Sequence, residues 1–125
     1  MPYLQFDADF PIAADDAAAF ERRVAEVYAD RMDADTSYTA VAVRDDVSLF
    51  LGRAEGERRV VLKADIRRGR TENRKRELAL EIIDLVHETF DVPTENQKVV
   101  VTEHDGHQMM GADRVGDDWS ESAAE

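Results

Sequence analysis

The sequence contains no cysteine, so disulfides are excluded and a reducing compartment, the cytoplasm, is the expected setting. It has no apolar run of about 18 residues, so no membrane-spanning helix is expected and no membrane partner either. The opening residues MPYLQFDADF lack a basic segment followed by an apolar stretch and do not read as a secretory signal. Lysine is scarce: Lys63, Lys75 and Lys98 are the only three, and arginine supplies the other positive charges. With 28 Asp+Glu against 16 Lys+Arg the net charge is −12, which argues against a nucleic-acid partner, since phosphate binding demands a basic face.

What is present is a chain of 125 residues, the size of one domain, with enough apolar residues for a modest core. Oligomerisation is a natural source of further burial at this size. Excess carboxylates repel one another at low salt and are screened at high salt. The Asp/Glu-rich, Lys-poor balance resembles the proteins of salt-accumulating halophiles and suggests a haloarchaeal source.

Residues 3–10 alternate, with Leu4, Phe6, Ala8 and Phe10 on one side and Tyr3, Gln5, Asp7 and Asp9 on the other, which predicts a half-buried strand. Pro11 breaks it. From Asp15 to Met32, Ala17, Phe20, Val24, Val27 and Tyr28 fall three and four apart, an amphipathic helix with Asp15 and Asp16 at its positive end. Ala40–Val43 reads as a second strand, and a turn at Arg44–Asp46 leads into Ser48–Leu51, a predicted hairpin arm ending at Gly52.

The plan then repeats. Arg59–Ile66 is a strand, Gly69 a turn, and Thr71 a cap for a helix carrying Leu78, Ile82, Leu85 and Val86. Lys98–Thr102 is a further strand. The expected fold is α/β: duplicated β-α-β units forming a two-layer sandwich, a four-stranded sheet with two helices on one face. Residues 1–112 form the domain, in halves of about 2–56 and 58–112. The segment 113–125 is acidic and aperiodic and reads as a surface arm or disordered tail. The sheet face without helices needs a partner, and an oligomer is the simplest one.

Ile66-Arg67-Arg68-Gly69-Arg70-Thr71-Glu72-Asn73-Arg74-Lys75 resembles the strand–Gly-Arg–helix start of 4-oxalocrotonate tautomerase and its relatives. Val99-Val100-Val101-Thr102-Glu103, with Gly106-His107 and Gly111 beyond, resembles the next strand and turn of the same superfamily, and Met-Pro leading into a strand matches its start. The resemblance spans about 110 residues as two fused units. It implies a homotrimer whose sheets enclose a central barrel, a cofactor-free enzyme, and an N-terminal proline as general acid or base.

The chemistry has its own logic. A free proline terminus is a secondary amine, and a base works best with its pKa near the working pH. Burial and nearby positive charge disfavour the ammonium form and lower that pKa. Arginine supplies the charge and a bidentate fork for a carboxylate substrate. By resemblance, Arg70 is the Gly-Arg arginine, and Arg67 with Arg70 matches the two arginines of the cis-3-chloroacrylic acid dehalogenase branch. Phe50 matches the aromatic that lines the apolar wall of the site, or is an ordinary core residue. Tyr28 stands where the dehalogenase branch has a histidine and is a candidate donor to a carbonyl or enolate oxygen, or core packing. Tyr38 is a further candidate donor.

Two departures matter. The dehalogenase branch's water-activating glutamate falls at about Gly111, and its second-strand tyrosine near Val100, so water-adding dehalogenation is not expected. Asp35 lies near enough to the decarboxylase branch's aspartate to keep that reaction open. Glu103, His104, Asp105 and His107 are ligand types, but they read as a polar turn and no metal is expected; His87 reads as solvated. The expected activity is keto–enol proton transfer on a small 2-oxo acid with Pro2 as base. The alternatives are decarboxylation or hydration of a three-carbon acid, such as malonate semialdehyde, or a non-catalytic module of the macrophage migration inhibitory factor type. All proline-based readings require that Met1 be removed, because an acylated proline nitrogen has no basicity.

Overall fold

The alternation at the start of the chain forms β1 (Tyr3–Ala8), with Leu4, Phe6 and Ala8 buried and Tyr3, Gln5 and Asp7 on the opposite face. The computed structural model describes residues 1–120. The strand ends at Ala8, two residues before the alternation does. The long connection then docks on its end: the backbone N–H of Val47 donates to the Ala8 carbonyl (3.0 Å) and that of Asp46 to the Phe10 carbonyl (3.0 Å).

Helix α1 (Ala14–Met32) buries Phe20, Val24, Val27, Tyr28 and Met32, and its first turn carries Asp15 and Asp16 at the positive end of the helix dipole. It stops at Asp33, whose backbone is left-handed (φ 53°). Asp35 then accepts from the Ser37 N–H (2.8 Å), which turns the chain into β2 (Ala40–Arg44).

The second half follows the same order: β3 (Val60–Arg67), α2 (Glu72–Phe90) and β4 (Gln97–His104). The Thr71 hydroxyl caps α2 by accepting from the Arg74 N–H (3.2 Å), as the sequence predicts. This helix too ends on a left-handed aspartate, Asp91 (φ 55°). A short hairpin, β5 (Met110–Gly111) and β6 (Arg114–Val115), follows β4.

The sheet order is β2-β1-β3-β4. Each crossover helix joins a parallel pair, β1 with β2 and β3 with β4, and the halves meet antiparallel through β1 and β3. Both helices lie over one face and share a single apolar cluster with Leu4, Phe6, Leu62 and Ile66. The other face is polar: Arg44 pairs with Asp7 (2.6 Å) and His104 with Asp65 (2.9 Å) across neighbouring strands, beside exposed Tyr3 and Val100.

Two expectations need correction. The predicted arm Ser48–Leu51 is not a strand. Residues 45–59 form an irregular connection, pinned by the buried Asn96 carboxamide. That side chain accepts from the Glu55 N–H (3.1 Å) and donates to the carbonyls of Glu55 (2.8 Å) and Arg58 (3.1 Å). The segment from Asp113 is not a loose arm over its described part, because Arg114 and Val115 form β6 and Trp119 is buried. Residues 121–125 of that segment lie outside the described residues. No helix among the described residues is long and apolar enough to cross a membrane.

Candidate active site at the proline end of the sheet

Strand direction gathers the candidate residues. Tyr3 sits beside Ala40 at the start of β2 and opposite Asp65 near the end of β3, while Arg67 at the end of β3 is paired with His104 at the end of β4. The same sheet edge therefore holds Pro2, the β3–α2 turn, the positive N-terminus of α2 and the last turn of α1. Pro2 is buried, and its carbonyl accepts from the Ala40 N–H (3.0 Å).

Arg67 and Arg70 are 4% and 5% exposed. Burial of this degree is uncommon for arginine, and it concentrates positive charge at one place in a strongly acidic chain. Arg70 is held by its Nε–H, which donates to the Met32 carbonyl at the C-terminus of α1 (2.9 Å). Its guanidinium lies over the wholly buried Tyr28 ring (5.8 Å) and over the Trp119 indole (5.0 Å). Arg74, from the first turn of α2, also lies over Trp119 (4.8 Å).

Gly69 makes the tight passage possible. Its φ is +129°, and a Cβ there would sit 1.9 Å from the Trp119 carbonyl oxygen. The Trp119 N–H in turn donates to the Arg68 carbonyl (2.7 Å). Gly116 plays the matching part for Arg67, since a Cβ there would lie 2.3 Å from the Arg67 Nη2. Gly69→Ala is expected to lift the segment 116–119 off the β3–α2 turn, costing roughly 1–3 kcal/mol for the strained backbone alone. A thermal melt together with a red-shifted tryptophan emission checks this, because Trp119 is the sole tryptophan; unchanged emission would contradict it.

Tyr38 stands at the same end, half-buried, with the Arg114 guanidinium 4.4 Å from its ring centre. The Arg114 Nε is buried with no hydrogen-bond partner among the described residues. The Asp35 carboxyl is held below its ordinary range, first by the Ser37 backbone N–H and more weakly by the charge of Arg114. Gly111, where the dehalogenase resemblance would put a glutamate, packs on the N-terminus: a Cβ there would be 3.0 Å from the Met1 Cε.

Phe50 is placed elsewhere. It is 93% exposed and lies in the connection that leaves β2 and enters β3, at the sheet end opposite Pro2. Within one protomer it does not line the proline site. The ligand-type residues at the end of β4 and just beyond it are drawn apart by ion pairs: Glu103 to Lys75 (3.3 Å), His104 to Asp65 (2.9 Å) and Asp105 to Arg68 (3.2 Å). Among the described residues no three such side chains are grouped to hold a metal ion. His87, on the exposed side of α2, places its Nδ1 2.8 Å from the Val92 carbonyl.

Sequence reasoning missed Trp119, Arg74 and Arg114. A faint signal existed for the first: a lone indole in an acidic aperiodic stretch has no reason to be there unless something buries it.

Residues 61–118 match the Tautomerase family model, described as tautomerase enzyme. No curated protein matches the sequence. Among solved structures, N1, a member of the cis-3-chloroacrylic acid dehalogenase family, is 26% identical with a TM-score of 0.80, over 90% of this chain and 82% of its own. Pt0534, solved after inactivation by 2-oxo-3-pentynoate, is 17% identical with a TM-score of 0.77, over 90% of this chain and 94% of its own. The macrophage migration inhibitory factor of Trichinella spiralis is 15% identical with a TM-score of 0.76, over 91% of this chain and 99% of its own.

Proposed function

We propose that this chain is a member of the tautomerase superfamily and catalyses keto–enol proton transfer on a small 2-oxo carboxylic acid, with the Pro2 nitrogen as base once Met1 is removed. The observation that carries the reading is the burial of Arg67 and Arg70 at the same sheet end as Pro2. A carboxylate substrate seated on these guanidiniums gains charge-assisted hydrogen bonds and the positive end of α2. Its α-carbon or enol oxygen then faces a secondary amine in a cationic, partly desolvated setting, where the neutral amine is favoured. Pro2 removes the proton from one atom and returns it to the other, and the guanidiniums stabilise the enolate charge that develops between the two steps. Tyr38 is the accessible candidate donor to that oxygen, while Tyr28 acts through its ring beneath Arg70. No cofactor or metal enters this scheme.

The polar, helix-free sheet face fits a homotrimer, in which Phe50 would contribute to the proline site of a neighbouring copy. Decarboxylation with Pro2 as the ammonium form is the second reading, supported by the ionised Asp35 near Arg114.

Turnover separates these. Wild-type protein in molar KCl is expected to ketonise phenylenolpyruvate and to leave malonate semialdehyde intact. Malonate semialdehyde loss without ketonisation would favour the second reading. Activity on neither would leave a binding module.

A further inference from the structure

We propose that Trp119 is a carboxylate-binding residue of the arginine site, its indole N–H donating to the anion held there. The inference rests on reading that site as a carboxylate pocket, and it extends the pocket to a residue outside the β3–α2 motif.

Three observations carry it. Trp119 is 4% exposed, a degree of burial that a tryptophan near the end of an acidic segment does not acquire by default. Its position is built rather than incidental: the backbone N–H is bonded to the Arg68 carbonyl (2.7 Å), and its carbonyl fills the space that the missing Gly69 side chain leaves open. Its indole Nε1, a group that can only donate, is buried with no hydrogen-bond partner among the described residues. A buried donor without an acceptor costs free energy, and such groups are ordinarily satisfied by protein, water or ligand.

The surroundings define the acceptor. Arg70 and Arg74 lie over the indole at 5.0 and 4.8 Å, so the neighbouring charge is positive and the complement is an anion. Guanidiniums at the ring face do not compete for the N–H at the ring edge, because they too are donors only. A carboxylate has two oxygens and about four lone-pair sites, enough to take the arginine fork and the indole N–H together.

Oxalate is a suitable probe, since it resembles the enolate of a small 2-oxo acid and does not absorb where tryptophan is excited. Titration into the wild-type protein is expected to change the Trp119 emission saturably, and Arg70→Ala is expected to abolish the change. By calorimetry, Trp119→Phe, which keeps an aromatic roof but lacks the N–H, is expected to bind oxalate about tenfold more weakly, the scale of one hydrogen bond to a charged group. Oxalate that fails to alter the wild-type emission, or that binds Trp119→Phe as tightly as wild type, overturns the proposal. The wild-type titration needs no variant to fold. Because neither measurement requires turnover, a protein that binds oxalate through Trp119 but isomerises no keto acid would refute the tautomerase reading and leave this contact standing.

Discussion

Pro2→Ala is expected to lower kcat/KM by about 10²-fold or more, within the range that a positioned general base contributes, with KM changed little. The variant still offers an amine once Met1 is removed, but a primary one on a freely rotating residue. The ring nitrogen of proline is held by the closed pyrrolidine ring and by the bond between its carbonyl and the Ala40 N–H. That bond does not involve the ring, so the variant is expected to fold, and its circular dichroism should overlay that of wild type. A second form makes the test sharper. Protein retaining Met1, or carrying any N-terminal extension, has an amide at Pro2 and is expected to be inactive until trimmed back to the proline. Intact mass identifies which form is in hand. Equal rates in the proline and alanine proteins would dispose of the base assignment.

Arg70→Ala is expected to fail twice over, and the two failures can be read separately. Loss of a fork that holds substrate and stabilises enolate charge should cost 10²–10³-fold in kcat/KM, comparable to removing one donor from an oxyanion site. The same change deletes the donor to the Met32 carbonyl and the stacking with Tyr28 and Trp119, for roughly 1–3 kcal/mol of stability. A melting curve and a kinetic run on one preparation check both. Arg70→Lys should recover little of either, because an ammonium has neither the planar fork nor the stacking surface. Full activity in Arg70→Lys would show that only charge matters and that the fork is not used.

Much of the fold is legible because its signals are local. The 3.6-residue spacing of Phe20, Val24, Val27 and Tyr28, and the cap at Thr71, specify helices without reference to the rest of the chain. Strand limits are less so: β3 runs through Arg67 and β4 from Gln97 to His104, because backbone pairing carries a strand past its apolar residues. Ser48–Leu51 misleads because Asp46 and Val47 have already spent their N–H groups on the end of β1, which turns the connection away from a hairpin. In the site, Arg67 and Arg70 could be found from Gly69, whose neighbours must be a turn. Trp119 and Arg114 could not. Trp119 meets Arg70, and Arg114, though part of a local hairpin, meets Tyr38, each across more than 40 residues of sequence, and neither sits in a periodic pattern. Phe50 shows the opposite limit: a residue type matched to a family position does not by itself bring the side chain to the site, and here it is exposed at the far end of the sheet.

Both helices close on an aspartate with left-handed backbone, Asp33 and Asp91, where glycine is the common choice. A carboxylate there meets the negative end of the helix dipole, an unfavourable pairing in dilute buffer that mobile cations relieve. Arginines from outside each helix offset it at short range: Arg70 donates to the Met32 carbonyl and Arg58 to the Phe90 carbonyl (2.8 Å). The last turn of each helix therefore sets a carboxylate whose repulsion salt screens beside a fixed guanidinium. For α1 that guanidinium is also the proposed substrate ligand, so added salt is expected to act on the same few charges that hold Arg70 in place.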